Sequence, residues 1–282
     1  MKQSIIEKHM PFDNIPKTKW AGRELKWFGM DSLENWKKQM HPQLGPDDVI
    51  YKFNRYGYRC PEFDSDADIR IITIGCSWTF GTGLPYEKTW SYSFSRKIAD
   101  TFNKSTVNWN MGFSAQSNDY MSRVLMCSVP ILRPDIVIIL FTNFARREYF
   151  NLYGERTWII PNSQLTKAPQ YLKAIQKSFE QLSSKYDNEV NFLKNYKLIE
   201  LLLSQYKVKW LFSGIDPRHF SNGMEHHLDT TKYLGFTIDE IDLARDNTHP
   251  GVNSNLKFAE RVHDEFVERY KSQTVAPFLS DA

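Results

Sequence analysis

The stretch PDIVIILFTN, residues 134–143, constrains the fold more than any other part of this chain. Six consecutive apolar residues, mostly β-branched, follow a Pro-Asp entry, and none offers a polar face to water. A strand of this kind is buried on both sides, which is the situation of a parallel sheet covered by helices. Three further runs repeat the theme: DIRIITIG, ending at Gly75, TVNWNMG at 106–112 and VKWLFSGI at 208–215. Between and after them lie the helical segments KTWSYSFSRKIADTF, SNDYMSRVLMCSVPIL, NEVNFLKNYKLIELLLSQY and PGVNSNLKFAERVHDEFVERYKS. The second is expected to end near Pro130, and the last to be opened by Pro250. Strands alternating with helices predict a doubly wound α/β domain with right-handed crossovers. Residues 144–188 and 214–245 interrupt the alternation and read as irregular insertions that shape a pocket.

The first 66 residues follow a different pattern. They are rich in Trp, Pro, Lys and Asp, with no sustained period. DSLENWKKQM suggests a short helix capped by Asp31 or Ser32, and VIYKFNRYGYRC an extended segment with a turn at NRYG. The segment lacks apolar content for its own core, so residues 1–66 are expected to wrap a domain spanning 67–275. A net charge of +3 gives no electrostatic footprint for nucleic acid. Cys60, Cys76 and Cys127 are too sparse for a disulfide framework or a zinc site and read as reduced thiols. The N-terminal stretch has no signal-like apolar core, and no run approaches the ~20 apolar residues of a membrane span. The expectation is a soluble cytoplasmic protein, a composition that a virion or phage component would share. Nothing in the sequence bears on oligomeric state.

The turn IITIGCSWTFGTG, residues 71–83, offers two chemistries: a phosphate cradle or a nucleophile. A P-loop requires lysine where Thr82 stands, and Gly75 and Gly81 are one residue too far apart for it. GxGxxG is absent, and the elbow GxSxG fails at Thr79. What remains is Ser77 directly after a core strand, at the end where open parallel sheets place their ligands.

A serine hydroxyl becomes nucleophilic only beside a base, which must itself be oriented. RDNTHPG supplies both, with Asp246 and His249 three residues apart before the last helix. Donors for a developing oxyanion are the Asn143 amide at the end of its strand, the Ser77 backbone N–H, and Gly112 or Ala115 in NMGFSAQS. Alone, Ser77 reads more simply as a turn or cap residue, Asn143 as a turn residue, Asp246 as a solvated acid and His249 as a helix cap. Their common rim and chain order favour the catalytic reading.

With these residues in hand, the chain resembles the SGNH (GDSL-type) hydrolase family. IGCSWTFG is similar to its first block, NMGFSAQS to the second, LFTNFA to the third and DNTHPG to the last. The likeness spans about residues 69–270. It implies a flavodoxin-like, three-layer α/β/α sandwich with a mostly parallel five-stranded sheet. It also implies a Ser77–His249–Asp246 triad with an oxyanion hole, and no cofactor or metal. The sequence departs from the pattern at Cys76, where aspartate is usual, at Ala115, where the second-block glycine is usual, and at Phe141 and Phe144 beside Asn143. The implied activity is ester hydrolysis, with a short acyl group on a carbohydrate as the expected substrate class. The alternatives are a structural or glycan-binding module and an O-acyltransferase.

Three further features flank the site. Trp78 is a candidate for stacking on a sugar, with packing beneath the loop as the simpler role. Arg146 and Arg147, directly after the third block, are candidates for substrate contact. PRHFSNGMEHHLD gathers His219, Glu225, His226 and His227, but the spacing matches no metal motif and reads as a loop.

Overall fold

The computed structural model describes residues 7, 9–11, 13–38, 40–151, 155–161, 169–221 and 223–270. The expected domain end at 275 lies outside them. In chain order the elements are β1 (Glu24–Leu25), α1 (Leu33–Lys38), β2 (Tyr51–Lys52), β3 (Ile69–Gly75), α2 (Ser77–Phe80), α3 (Trp90–Phe102), β4 (Thr106–Asn110) and α4 (Asn118–Leu132). They continue with β5 (Ile136–Phe141), β6 (Arg147–Phe150), β7 (Arg156–Ile159), α5 (Gln170–Leu182), α6 (Lys185–Gln205), β8 (Lys209–Gly214) and α7 (Val252–Tyr270).

The central sheet has the order β4-β3-β5-β8, and every neighbouring pair is parallel. Ile71 lies opposite Ile136, and Ile139 opposite Phe212. Strand alternation sorts the side chains into two cores. Ile69, Ile71, Ile136, Ile138 and Leu140 pack with Trp90, Phe94, Phe258 and Phe266 of α3 and α7. Ile72, Ile74, Val137, Ile139 and Phe141 pack with Val124, Phe192 and Tyr196 of α4 and α6. The result is the expected three-layer α/β/α arrangement.

Four parallel strands form among the described residues, against an expectation of five. After β8 no further strand joins this sheet among the described residues. Tyr233 makes only an isolated parallel bridge to Phe212, and the segment continues through short turns.

Helix α4 ends near Pro130 as expected, two residues past it at Leu132, where Arg133 closes it at φ 47°. Residues 144–188 are more regular than expected. REYF and RTWI, with their aromatic and β-branched side chains, pair as the antiparallel hairpin β6–β7, and α5 follows. Ser32, not Asp31, caps α1, accepting the Asn35 N–H at 3.1 Å.

The N-terminal segment packs into the second core through Phe28, Tyr51, Phe53 and Tyr58, all buried. Tyr51 stacks on Phe80 with ring centroids 5.7 Å apart, so the leader seats on the short helix that begins with Ser77.

Candidate active site

Strand β3 ends at Gly75, where a Cβ would come within 2.1 Å of Thr79 Oγ1 and 2.9 Å of Leu140 O. The missing side chain lets the chain turn at once into α2, with Ser77 as its first helical residue. Gly81, at φ 75°, ends that helix after four residues.

On the facing loop, Asp246 Oδ1 accepts the backbone N–H groups of Thr248 at 3.2 Å and His249 at 3.1 Å. These bonds set the loop so that Asp246 Oδ2 lies 2.5 Å from His249 Nδ1. His249 Nε2 in turn lies 2.8 Å from Ser77 Oγ. All three residues are buried: 7% exposed at Ser77, 4% at Asp246 and 9% at His249. Burial pushes the Asp246 carboxyl up, but the His249 hydrogen bond and charge and the two N–H groups outweigh it and hold the carboxyl below the usual carboxylate range. An ionised Asp246 keeps the imidazole proton on Nδ1. Nε2 is then a lone-pair acceptor for the Ser77 hydroxyl.

The Ser77 and Ala115 backbone N–H groups have no acceptor among the described residues. Ala115 adopts φ 64°, the left-handed conformation that usually selects glycine. Gly112 differs from its expected role: its N–H is committed to Asn110 Oδ1 at 3.0 Å. A Cβ there would approach Thr79 Cβ to 2.8 Å, so this glycine serves close packing. Asn143 is exposed, and its side-chain oxygen accepts the Ala145 N–H at 2.9 Å, which leaves its amide nitrogen unpaired among the described residues. Two buried asparagines brace this rim. Asn110 donates to Thr79 O at 2.7 Å, and Asn118 exchanges hydrogen bonds with both backbone groups of Thr142.

Of the expected substrate contacts, Arg147 is turned elsewhere. Its guanidinium donates to Phe144 O, Asp187 and Asn188, and so ties β6 to the start of α6. Arg146 buries Nη1 without a partner among the described residues. Trp78 is partly buried against the α3/α7 core. His219 packs on Phe144 with ring centroids 4.7 Å apart, and His226 and His227 lie in a short 3₁₀ turn. Among the described residues, no three His, Cys, Asp or Glu side chains are grouped to hold a metal. No helix among them is long and apolar enough to cross a membrane.

Sequence reasoning missed a set of residues in the leader. Arg59 is wholly buried and donates to the carbonyls of Gly81 at 2.8 Å and Leu84 at 2.7 Å, just past α2. Asp31, Tyr51 and Arg245 are buried beside the same loops. The available signal was Arg245, adjacent to Asp246 in a loop already singled out.

A recess of about 730 Å³ opens between the leader, the β6–β7 hairpin and α5. Trp20, Trp27, Tyr120 and Trp158 line it, with Ser114 and Ala115 on one wall. Its walls include Ala115 but neither Ser77 nor His249.

No family model matches the sequence, and a search of curated proteins returns no match. Solved structures do resemble it. One described as TesA is 11% identical, with 71% of this chain and 99% of that one covered and a TM-score of 0.46. A lipase, Lip_vut3, from goat rumen metagenome is 14% identical, with 70% and 97% covered and a TM-score of 0.43. A carbohydrate esterase family 2 enzyme from Corynascus thermopiles (Myceliophthora fergusii) is 13% identical, with 79% and 71% covered and a TM-score of 0.44.

Proposed function

We propose that the protein is a serine ester hydrolase of the SGNH kind. The observation that carries this reading is the unbroken hydrogen-bonded line Asp246–His249–Ser77, buried at the end of a parallel sheet. Ser77 Oγ attacks the acyl carbon while its proton passes to His249 Nε2. Asp246 orients the imidazole and stabilises the imidazolium that forms. The carbonyl oxygen becomes an oxyanion that the N–H groups of Ser77 and Ala115 and the Asn143 amide are free to bind. Collapse of the tetrahedral intermediate breaks the ester C–O bond, and the leaving alkoxide takes the proton from His249. Water, deprotonated by His249, then attacks the acyl-serine, and Ser77 leaves with that proton.

The substrate class we propose is a short acyl ester, such as acetate, on a carbohydrate. The support is the aromatic recess beside Ala115, whose flat rings suit the apolar faces of sugars. Trp78 and Arg146 are the flanking side chains proposed to contact the alcohol portion. The test compares fluorophosphonate labelling and aryl acetate hydrolysis in the wild type and in Ser77→Ala. The wild type labels and turns over, and the variant falls to the level of buffer. A folded wild type that does neither is a binding module instead.

A further inference from the structure

The leader and the two catalytic loops are joined by a closed ring of hydrogen bonds. The Gly83 N–H donates to Tyr51 Oη at 2.8 Å. Tyr51 Oη donates to Asp31 Oδ2 at 2.5 Å. The Asp31 carboxylate accepts a two-pronged bond from Arg245, Nε to Oδ1 at 3.0 Å and Nη2 to Oδ2 at 2.6 Å. The Arg245 backbone N–H returns to Gly83 O at 3.0 Å and closes the circuit.

Asp31, Tyr51 and Arg245 have no exposed surface, and a buried ion pair is weak grounds for stability because desolvation offsets most of its attraction. Such a pair does fix geometry: a planar fork on a carboxylate defines distance and orientation together. Arg245 is further held by Lys26 O at 2.6 Å and Pro46 O at 2.8 Å, and its guanidinium lies 4.0 Å from the Trp27 ring centroid. A residue gripped this firmly is the immediate neighbour of Asp246.

On the other side, Gly83 belongs to the loop leaving α2, whose first residue is Ser77. The ring therefore sets the loop after the nucleophile against the loop carrying the acid and base. It does so with two side chains, Asp31 and Tyr51, that come from outside the α/β sheet.

We infer that Asp31, Tyr51 and Arg245 are positioning residues, which hold His249 in register with Ser77 through the ring. The inference rests on the hydrolase reading for its kinetic consequence but not for its geometric one. A shift of about 1 Å at a reacting pair lowers turnover by about 100-fold, so a ring that fixes the two loops acts on kcat and not on substrate binding.

The experiment uses the full chain with Asp31→Asn and Tyr51→Phe. Two signals are read: the low-field imidazole N–H resonance of the His249–Asp246 hydrogen bond, and kcat and KM for an aryl acetate. In Asp31→Asn the resonance shifts or broadens, and kcat falls by about 10- to 100-fold while KM stays within about twofold. Tyr51→Phe keeps the ion pair and gives a smaller change in the same direction; it decides the matter if Asp31→Asn does not fold. A folded variant with the wild-type resonance and wild-type kcat overturns the inference. Should the wild type neither hydrolyse nor label, the hydrolase reading fails, and the resonance alone still tests the ring.

Discussion

Gly83 packs so closely on Ala244 that a Cβ at position 83 would come within 2.9 Å of the Ala244 Cβ, and within 3.1 Å of the backbone nitrogens of Arg245 and Asp246. The contact joins the two halves of the candidate site backbone to backbone. Gly83 also sits at φ 77°, where a side chain costs about 1–2 kcal/mol. Gly83→Ala is expected to lose at least that much stability in urea and to lower kcat, because the Asp246 loop must retreat from Ser77. Unchanged kcat in the folded variant would show that the contact is only packing.

Asp246→Asn keeps the size of the side chain but no longer fixes the imidazole proton on Nδ1. With the hydrolase reading, kcat should fall by about 10³- to 10⁴-fold, with KM little changed. Steady-state kinetics on an aryl acetate checks this. A loss smaller than about tenfold would assign the orienting role elsewhere.

Ala115 offers the opposite sign. Its left-handed backbone, at φ 64°, costs an alanine about 1–2 kcal/mol that a glycine escapes. Glycine gives back about 0.5–1 kcal/mol through the entropy of the unfolded chain. Ala115→Gly should therefore raise stability by a few tenths to about 1 kcal/mol while the N–H stays in place and activity is kept. Ala115→Val, with a branched Cβ, should destabilise. Thermal melts of the two variants order them.

Glu148 is nearly enclosed by Arg123, at 2.7 and 2.8 Å, and Arg156, at 3.1 Å. Burial raises its carboxyl, but the two guanidinium groups outweigh this and hold it below its ordinary value of 4.5. The folded state therefore keeps this carboxylate ionised at a pH where the unfolded chain already binds the proton. Its contribution is present in full above about pH 4.5 and is lost as the pH falls through the lower folded value. Melting temperature should drop in that acid range, and Glu148→Gln should flatten the drop. At neutral pH the same variant should be about 3–5 kcal/mol less stable, since two arginines are left without their buried partner. Melts from pH 3 to 8 are the check, and identical acid slopes would remove Glu148 from the account.

The sheet and the line of Ser77, His249 and Asp246 could be read from local signals. A buried parallel strand writes an apolar run, and the loop that faces Ser77 carries Asp and His at short spacing before a helix. No fifth strand joins the sheet among the described residues, where Tyr233 makes only a bridge to Phe212. Arg147 looked poised over the site by position, yet Asp187 lies within reach on α6 and captures it. The ring through Asp31, Tyr51 and Arg245 left only Arg245, beside Asp246, as a local trace. Each member is an ordinary polar residue in a segment without periodicity, and only tertiary folding brings them together. Ala115 was the informative departure, because a residue at a position that favours glycine records a backbone requirement, and φ 64° shows that requirement being met by alanine.

Asp31 and Arg245 lie 214 positions apart in the chain. Contacts of such long range close late in folding, after the local helices and the neighbouring strands have formed. During synthesis the leader emerges before the loop that Arg245 opens and must wait for it, with Phe28, Tyr51 and Phe53 uncovered. On the hydrolase reading, catalytic competence is thus expected as one of the last properties the nascent protein acquires. A chain released early would hold a nearly complete sheet with an unassembled site.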